Sequence, residues 1–221
     1  SNAIFDPKKL EWMNGQYLSA IDNSTLLSIV RDQFESEGLL AAARDEHHLH
    51  QALTLAKGRC RVTGELVART RFFFDVGIEY DPKAVKKIWK DESPKYLAVV
   101  RDVLAGLDDW SEDGLEKALS PLAENLQIGA GKIMQPIRLA VTGTNVSPGI
   151  FETLAVIGKE LTLQRIERAL ADALIRADSH GQTEFVERCH HAVYIQACRL
   201  ESDPDLRQDW THDCLLRLLD D

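Results

Sequence analysis

VTGTNVSPGIFETLAVIGKE, residues 141–160, sets two apolar runs on either side of a polar knot, Thr142 to Gly149. Ser147-Pro148 has the serine-then-proline form of a helix start, and Gly158 has the form of a helix stop. Between them Phe151, Leu154, Ala155 and Ile157 recur at helical spacing. The stretch therefore predicts helix, turn, short helix, stop. A linker between helices needs less turn chemistry than this, so the knot is a candidate for holding something.

The same period runs outward in both directions. Leu26, Leu27, Val30 and Phe34 form one stripe, capped by Asn23 or Ser24, and residues 39–57 are expected to continue as one Ala/Leu-rich helix. Ser93-Pro94 opens a helix with Leu97, Val100, Leu104 and Leu107 on one face; Ser111 opens another with Leu115, Leu119, Leu122 and Leu126. Pro136 is expected to begin a helix rather than sit inside one. Thr162 is expected to start a further helix through Leu163, Ile166 and Leu170, with candidates at 183–200 and 205–219 in the tail. Residues 72–80 (FFFDVGIEY) read as a loop, and no segment sustains strand alternation. The fold class is all-α.

Composition bounds function. With 221 residues, 44% hydrophobic and 28% charged, the chain has the makeup of a water-soluble globular protein, and no run reaches the roughly 20 apolar residues of a membrane span. Ser1-Asn2-Ala3 reads as the scar of a cleaved tag, which leaves open a natural chain that continues upstream. Four cysteines (Cys60, Cys189, Cys198, Cys214) do not make a disulfide framework and read as reduced thiols. The net charge of −9 is uneven: residues 171–221 hold 5 Lys/Arg against 11 Asp/Glu. By contrast Lys57, Arg59, Arg61, Arg69 and Arg71 crowd fifteen residues with one acid, Glu65. Such a stripe is either a solvated face with ordinary ion pairs or a set of contacts to phosphates and unstacked bases. Of Phe72, Phe73 and Phe74, at least some must be core.

Several motifs fail on their own chemistry. Asp109-x-Ser111-x-Asp113-Gly114 imitates a calcium loop, but its twelfth position is Ser120, so helix capping explains it better. Gly129-Ala130-Gly131-Lys132 lacks the spacing of a phosphate loop. His47, His48 and His50 lack zinc-helix spacing and read as a solvated helix face. Cys189, His190, His191, Cys198, His212 and Cys214 contain no CxxC pair, and no metal site is assigned.

FDPKKLEWMNGQYL (5–18), RTRFFF (69–74), YDPKAVKKIW (80–89) and PIRLAVTGTNVSPGIFETLAVIGKELTLQRIERAL (136–170) occur in that order. Together they resemble the C-terminal half of bacterial-type glutamyl-tRNA synthetases, over about Phe5 to Ala173. The resemblance implies the end of a stem-contact segment at 4–22 and an anticodon-binding helix cage in two subdomains, 23–105 and 106–173. Residues 174–221 are expected to be an acidic helical extension beyond the pattern, either a two-helix packing extension or a surface for a protein partner. It implies that residues recognising the anticodon correspond to Arg138, Ser147, Pro148, Gly149 and Ile150, and to one of Arg59 and Arg61. The partner would be tRNA-Glu, or also tRNA-Gln in a non-discriminating enzyme. The ATP-binding HIGH and KMSKS motifs are absent, so ATP and Mg would serve a catalytic domain upstream. The chain itself would be non-catalytic, cytoplasmic and without a cofactor. The alternative is a helical protein-interaction module that keeps the fold and has lost tRNA binding.

Overall fold

The computed structural model describes residues 6–178, with side chains to Ala173. The tail helices and the tail cysteines and histidines considered above lie outside these. Among the described residues there are helices and turns and no strand. The helices are α1 (Pro7–Ala20), α2 (Asn23–Ser36), α3 (Leu39–Ala42), α4 (Glu46–Lys57) and α5 (Glu65–Thr70), followed by a 3-10 turn, Arg71–Phe73. Then come α6 (Pro82–Ile88), α7 (Ser93–Ala105), α8 (Glu112–Asn125), α9 (Gly131–Thr142), α10 (Ile150–Ile157) and α11 (Lys159–Asp178). The chain divides into two compact units, Ser1–Ala169 and Leu170–Asp221.

The core follows the stripes read from sequence. Leu26, Val30, Phe34, Leu97, Leu104, Leu115 and Leu119 are fully enclosed, as is Leu154 on α10. All three rings of Phe72, Phe73 and Phe74 are buried, and Phe74 meets Phe34 edge-on at 6.5 Å. Each fully buried side chain of this size contributes roughly 1.5–3 kcal/mol. Within the first unit, helix α10 is shared between earlier and later elements: it packs on α4 and the 3-10 turn and on α8 and α9. That sharing explains why eight residues carry such an apolar sequence, IFETLAVI.

Local expectations fail in four places, each for a physical reason. Residues 39–57 are not one helix; the chain extends at Ala43, and Asp45 caps α4 through His48 N–H. The break frees Arg44, whose guanidinium donates to Val156 O and Ile157 O, both at 2.7 Å, and so caps the end of α10. Asp22, rather than Asn23 or Ser24, caps α2, because the Asn23 amide crosses to His50 O and Thr54 Oγ1. Pro136 lies inside α9, five residues past its start, where its missing N–H loses one helical bond, to Lys132. His48 is not solvated: it is 3% exposed and stands edge-on to Phe74 at 5.2 Å. Two starts shift as well, α7 to Ser93 itself and α11 to Lys159 rather than Thr162. At Ser111 capping holds as expected, with its hydroxyl accepting from Gly114 N–H at 3.1 Å.

Candidate nucleic-acid interface

The polar knot is a turn that satisfies its own hydrogen bonds. Gly143 ends α9 at φ 76°, and a Cβ there would lie 2.1 Å from Glu79 O. Only glycine allows that approach, which also lets Gly143 O accept from Asp81 N–H at 2.8 Å. Thr142 Oγ1 sits 2.8 Å from Arg138 O, and Thr144 Oγ1 donates to Val146 O at 2.8 Å. The turn therefore presents Thr144, Asn145 and Val146 on a fixed frame. Val146 is 62% exposed, an apolar tip in a polar segment.

Arg138 holds the outgoing strand of this turn. Its Nη1 donates to Ser147 Oγ and to Pro148 O, the latter at 2.7 Å. Its pKa is lowered, first by burial and then by the guanidinium of Arg59 across from it. Ser147 and Pro148 are not the first helical residues: α10 begins two positions later, with Gly149 as N-cap. The reason is that the Ser147 hydroxyl is committed to Arg138 rather than to a helix N–H. Gly149 N–H is also committed, to Glu152 Oε2 at 3.2 Å, and a Cβ on Gly149 would lie 2.8 Å from that oxygen. Its glycine thus makes room for Glu152, and the Gly149 N–H is satisfied within the protein. Ile150 is 7% exposed, so its side chain belongs to the core.

The basic stripe faces the knot. Cys60 is 2% exposed, and burial pushes its thiol up to about 11, so it is a packing residue. With Cys60 turned inward, Arg59 and Arg61 on either side of it are turned out. Arg59 borders an open cleft of about 1110 Å³ whose other wall includes Asn145, Val146, Ser147 and Pro148. Arg61 instead borders a smaller hollow, about 340 Å³, against Trp12 and Gln16 of α1. The rest of the stripe divides. Lys57 caps α1 through Ile21 O at 2.6 Å, Arg69 lies 3.4 Å from Glu65, and Arg71 pairs with Glu37 at 2.8 Å. The two arginine–glutamate contacts are the ordinary ion pairs of a solvated face, worth about 0–1 kcal/mol each. The Arg59 side chain has no hydrogen bond or ion pair among the described residues.

The structure thus brings Arg59, Ser147 and Pro148 to one cleft, with Arg138 behind as the clamp. It leaves Arg61 on the neighbouring hollow and Ile150 inside. Arg168 was not singled out from sequence, yet it borders the cleft, with its guanidinium 5.9 Å from the centroid of Tyr80. Its sequence neighbourhood, LQRIERAL, offers no signal separating it from Arg165, which is buried. A broad hollow rimmed by arginines, with an exposed apolar tip and a fixed polar turn, suits an extended chain carrying negative charge and flat apolar faces. Among the described residues no group of His, Cys, Asp and Glu could hold a metal, and no helix is long and apolar enough to cross a membrane.

Comparison with known proteins gives the arrangement a family. The family model described as anticodon binding domain matches residues 25–170. Glutamate–tRNA ligase 1 of Syntrophomonas wolfei is 34% identical over 82% of this chain, and the match covers 36% of that protein. Glutamate–tRNA ligase of Thermodesulfovibrio yellowstonii is 32% identical over 77% of this chain and 37% of its own length. Among solved structures, a glutamate tRNA ligase from Elizabethkingia meningosepticum superposes with a TM-score of 0.69 at 26% identity, over 77% of this chain and 33% of that one. The chain spans only about a third of the length of these relatives. Because the family model covers most of the described residues, with the arginine cleft among them, the chain belongs to the anticodon-binding domain family found in glutamate–tRNA ligases.

Proposed function

We propose that this chain is the anticodon-reading part of a cytoplasmic glutamate–tRNA ligase, and that the cleft between Arg59 and the 144–148 turn receives anticodon nucleotides. The single observation carrying this is the juxtaposition of an unpaired arginine with a rigid polar turn across a 1110 Å³ cleft. In this reading Arg59 stacks on or donates to a base, the turn supplies polar edges from Asn145 and Ser147, and Arg138 keeps that turn in place. Pro148, Gly149 and Ile150 set the path of the strand rather than touch the base through their side chains. Arg61 serves the adjacent hollow. Residues 23–105 and 106–173 act as two subdomains of one platform, joined through α10, with 4–22 leading in from the stem-contact region.

Such a domain contributes no chemistry. In the longer enzyme it raises affinity for the cognate anticodon and orients the acceptor end toward a catalytic domain that uses ATP and Mg to attach glutamate. Stacked base contacts are worth roughly 1–3 kcal/mol each, so two near the low end of that range, about 1.4 kcal/mol each, distinguish cognate from unrelated tRNA by about a hundredfold. The cognate partner is tRNA-Glu, with tRNA-Gln added if the enzyme is non-discriminating. Filter binding of this chain to tRNA-Glu and to an unrelated tRNA, across a salt series, tests the proposal. A salt-dependent preference for tRNA-Glu supports it; equally weak binding of both supports the protein-interaction module instead.

A further inference from the structure

Asn145 borders two hollows. One is the arginine cleft; the other is a groove of about 580 Å³ between the end of α6, the start of α7 and the first half of α9. The groove's chemistry differs from the cleft's. Its basic rim is Lys87, Lys90 and Lys132, with Tyr96 and Gln135 also lining it.

The lysines follow from the sequence of α6. PKAVKKIWK, residues 82–90, holds four lysines and no acid. Ala84 is 2% exposed and faces the core, while Lys83, Lys86, Lys87 and Lys90 are exposed. In a protein of net charge −9 this concentration is not a composition effect. One carboxylate borders the groove, Glu92, and it is already engaged: Tyr96 OH donates to it at 3.1 Å and Lys132 Nζ lies 3.8 Å away. Lys90 Nζ spends one donor on Lys86 O at 3.0 Å and keeps two. The Lys87 side chain has no hydrogen bond or ion pair among the described residues. Lysine ammoniums are mobile point charges that suit phosphate oxygens and carry little base specificity, unlike arginine planes.

We propose that the Lys87–Lys90–Lys132 groove is a backbone track, taking the phosphates of the same single strand whose bases enter the arginine cleft. The strand would cross Asn145 and the exposed Val146 on its way from one hollow to the other. This inference rests on the tRNA reading of the cleft, and adds a site that carries affinity without specificity.

The test is the salt dependence of tRNA-Glu binding by the intact chain and by K87Q/K90Q/K132Q. Each single-strand phosphate contact contributes a slope of about −0.7 in log K against log salt. The triple variant should therefore lose about 2 from the slope, with affinity falling by the same factor for tRNA-Glu and an unrelated tRNA. Arg59→Ala should instead reduce the ratio between the two tRNAs. All three lysines are exposed, and an unchanged thermal midpoint by circular dichroism checks that the variant is folded. An unchanged slope in the triple variant, with the wild-type preference intact, overturns the track and leaves the anticodon reading standing. The track also falls if Lys117→Gln, at an exposed position bordering neither hollow, lowers the slope as much per charge. If the wild-type chain shows no tRNA preference, the anticodon reading fails and the track fails with it.

Discussion

Replacing Arg165 by methionine should destabilise the first unit by about 3–5 kcal/mol, the cost of leaving buried backbone acceptors without their donor. Arg165 is 5% exposed, and its guanidinium donates to Phe72 O, to Val141 O at 2.8 Å and to Phe74 O at 2.7 Å. Burial lowers its pKa to about 10, which leaves it charged at neutral pH. Methionine fills much of the volume but leaves three carbonyls without that donor, at roughly 1–3 kcal/mol each before relaxation. Partial relaxation and water entry bring the sum down to the quoted range. The carbonyls belong to two separated segments, the 71–74 turn and the end of α9, and Phe72 and Thr142 beside them border the arginine cleft. One side chain therefore ties the two walls together. Urea unfolding followed by far-UV circular dichroism is the assay, with the midpoint moving at constant m-value. In a thermal scan the loss corresponds to a fall of roughly 10–15 °C, at about 3 °C per kcal/mol for a unit of this size. A loss below about 1 kcal/mol would refute the idea that Arg165 is the strut.

Three further outcomes follow from single sites. His48 is held neutral, its pKa lowered to about 4 chiefly by burial and then by Arg44. The unfolded chain gains this proton near pH 6.5 and the folded chain only near 4. Stability should therefore be full above pH 6.5 and fall by roughly 2–3 kcal/mol between 6.5 and 4; His48→Gln should flatten that part of a urea-midpoint profile. Gly143→Ala should cost more than about 2 kcal/mol, since its Cβ meets backbone, while Gly38→Ala, equally left-handed but with open space, should cost about 1; equal losses in urea would show the Glu79 contact to be unimportant. Arg59→Ala should weaken tRNA-Glu binding by about tenfold, worth 1.4 kcal/mol, and Arg61→Ala by less, as read by filter binding.

How much of this was legible beforehand depends on what kind of information each residue carries. Stripes such as Leu26–Val30–Phe34 and Leu115–Leu119 announce a buried face because periodicity is local, and the all-α class follows from them. The break at Ala43 is not local: Arg44 leaves the helix to cap α10, more than a hundred residues away. His48 looks like one of three surface histidines until Phe74, from another segment, covers it. The knot was recognisable as special turn chemistry, yet its serine and glycine are consumed by Arg138 and Glu152 inside the protein. The choice between Arg59 and Arg61 stayed open because both flank the inward Cys60; the surfaces that separate them belong to α1 and to the 144–148 turn. Arg168 and Arg165 differ only in which way one helix faces.

The central claim is that the cleft reads unpaired bases. The most direct measurement is the affinity of this chain for an isolated anticodon stem-loop of tRNA-Glu, against the same stem-loop with its anticodon bases replaced. The account predicts salt-dependent binding of the first and about tenfold or more weaker binding of the second, with Arg59→Ala removing most of the difference. Equal affinity for the two stem-loops would contradict it.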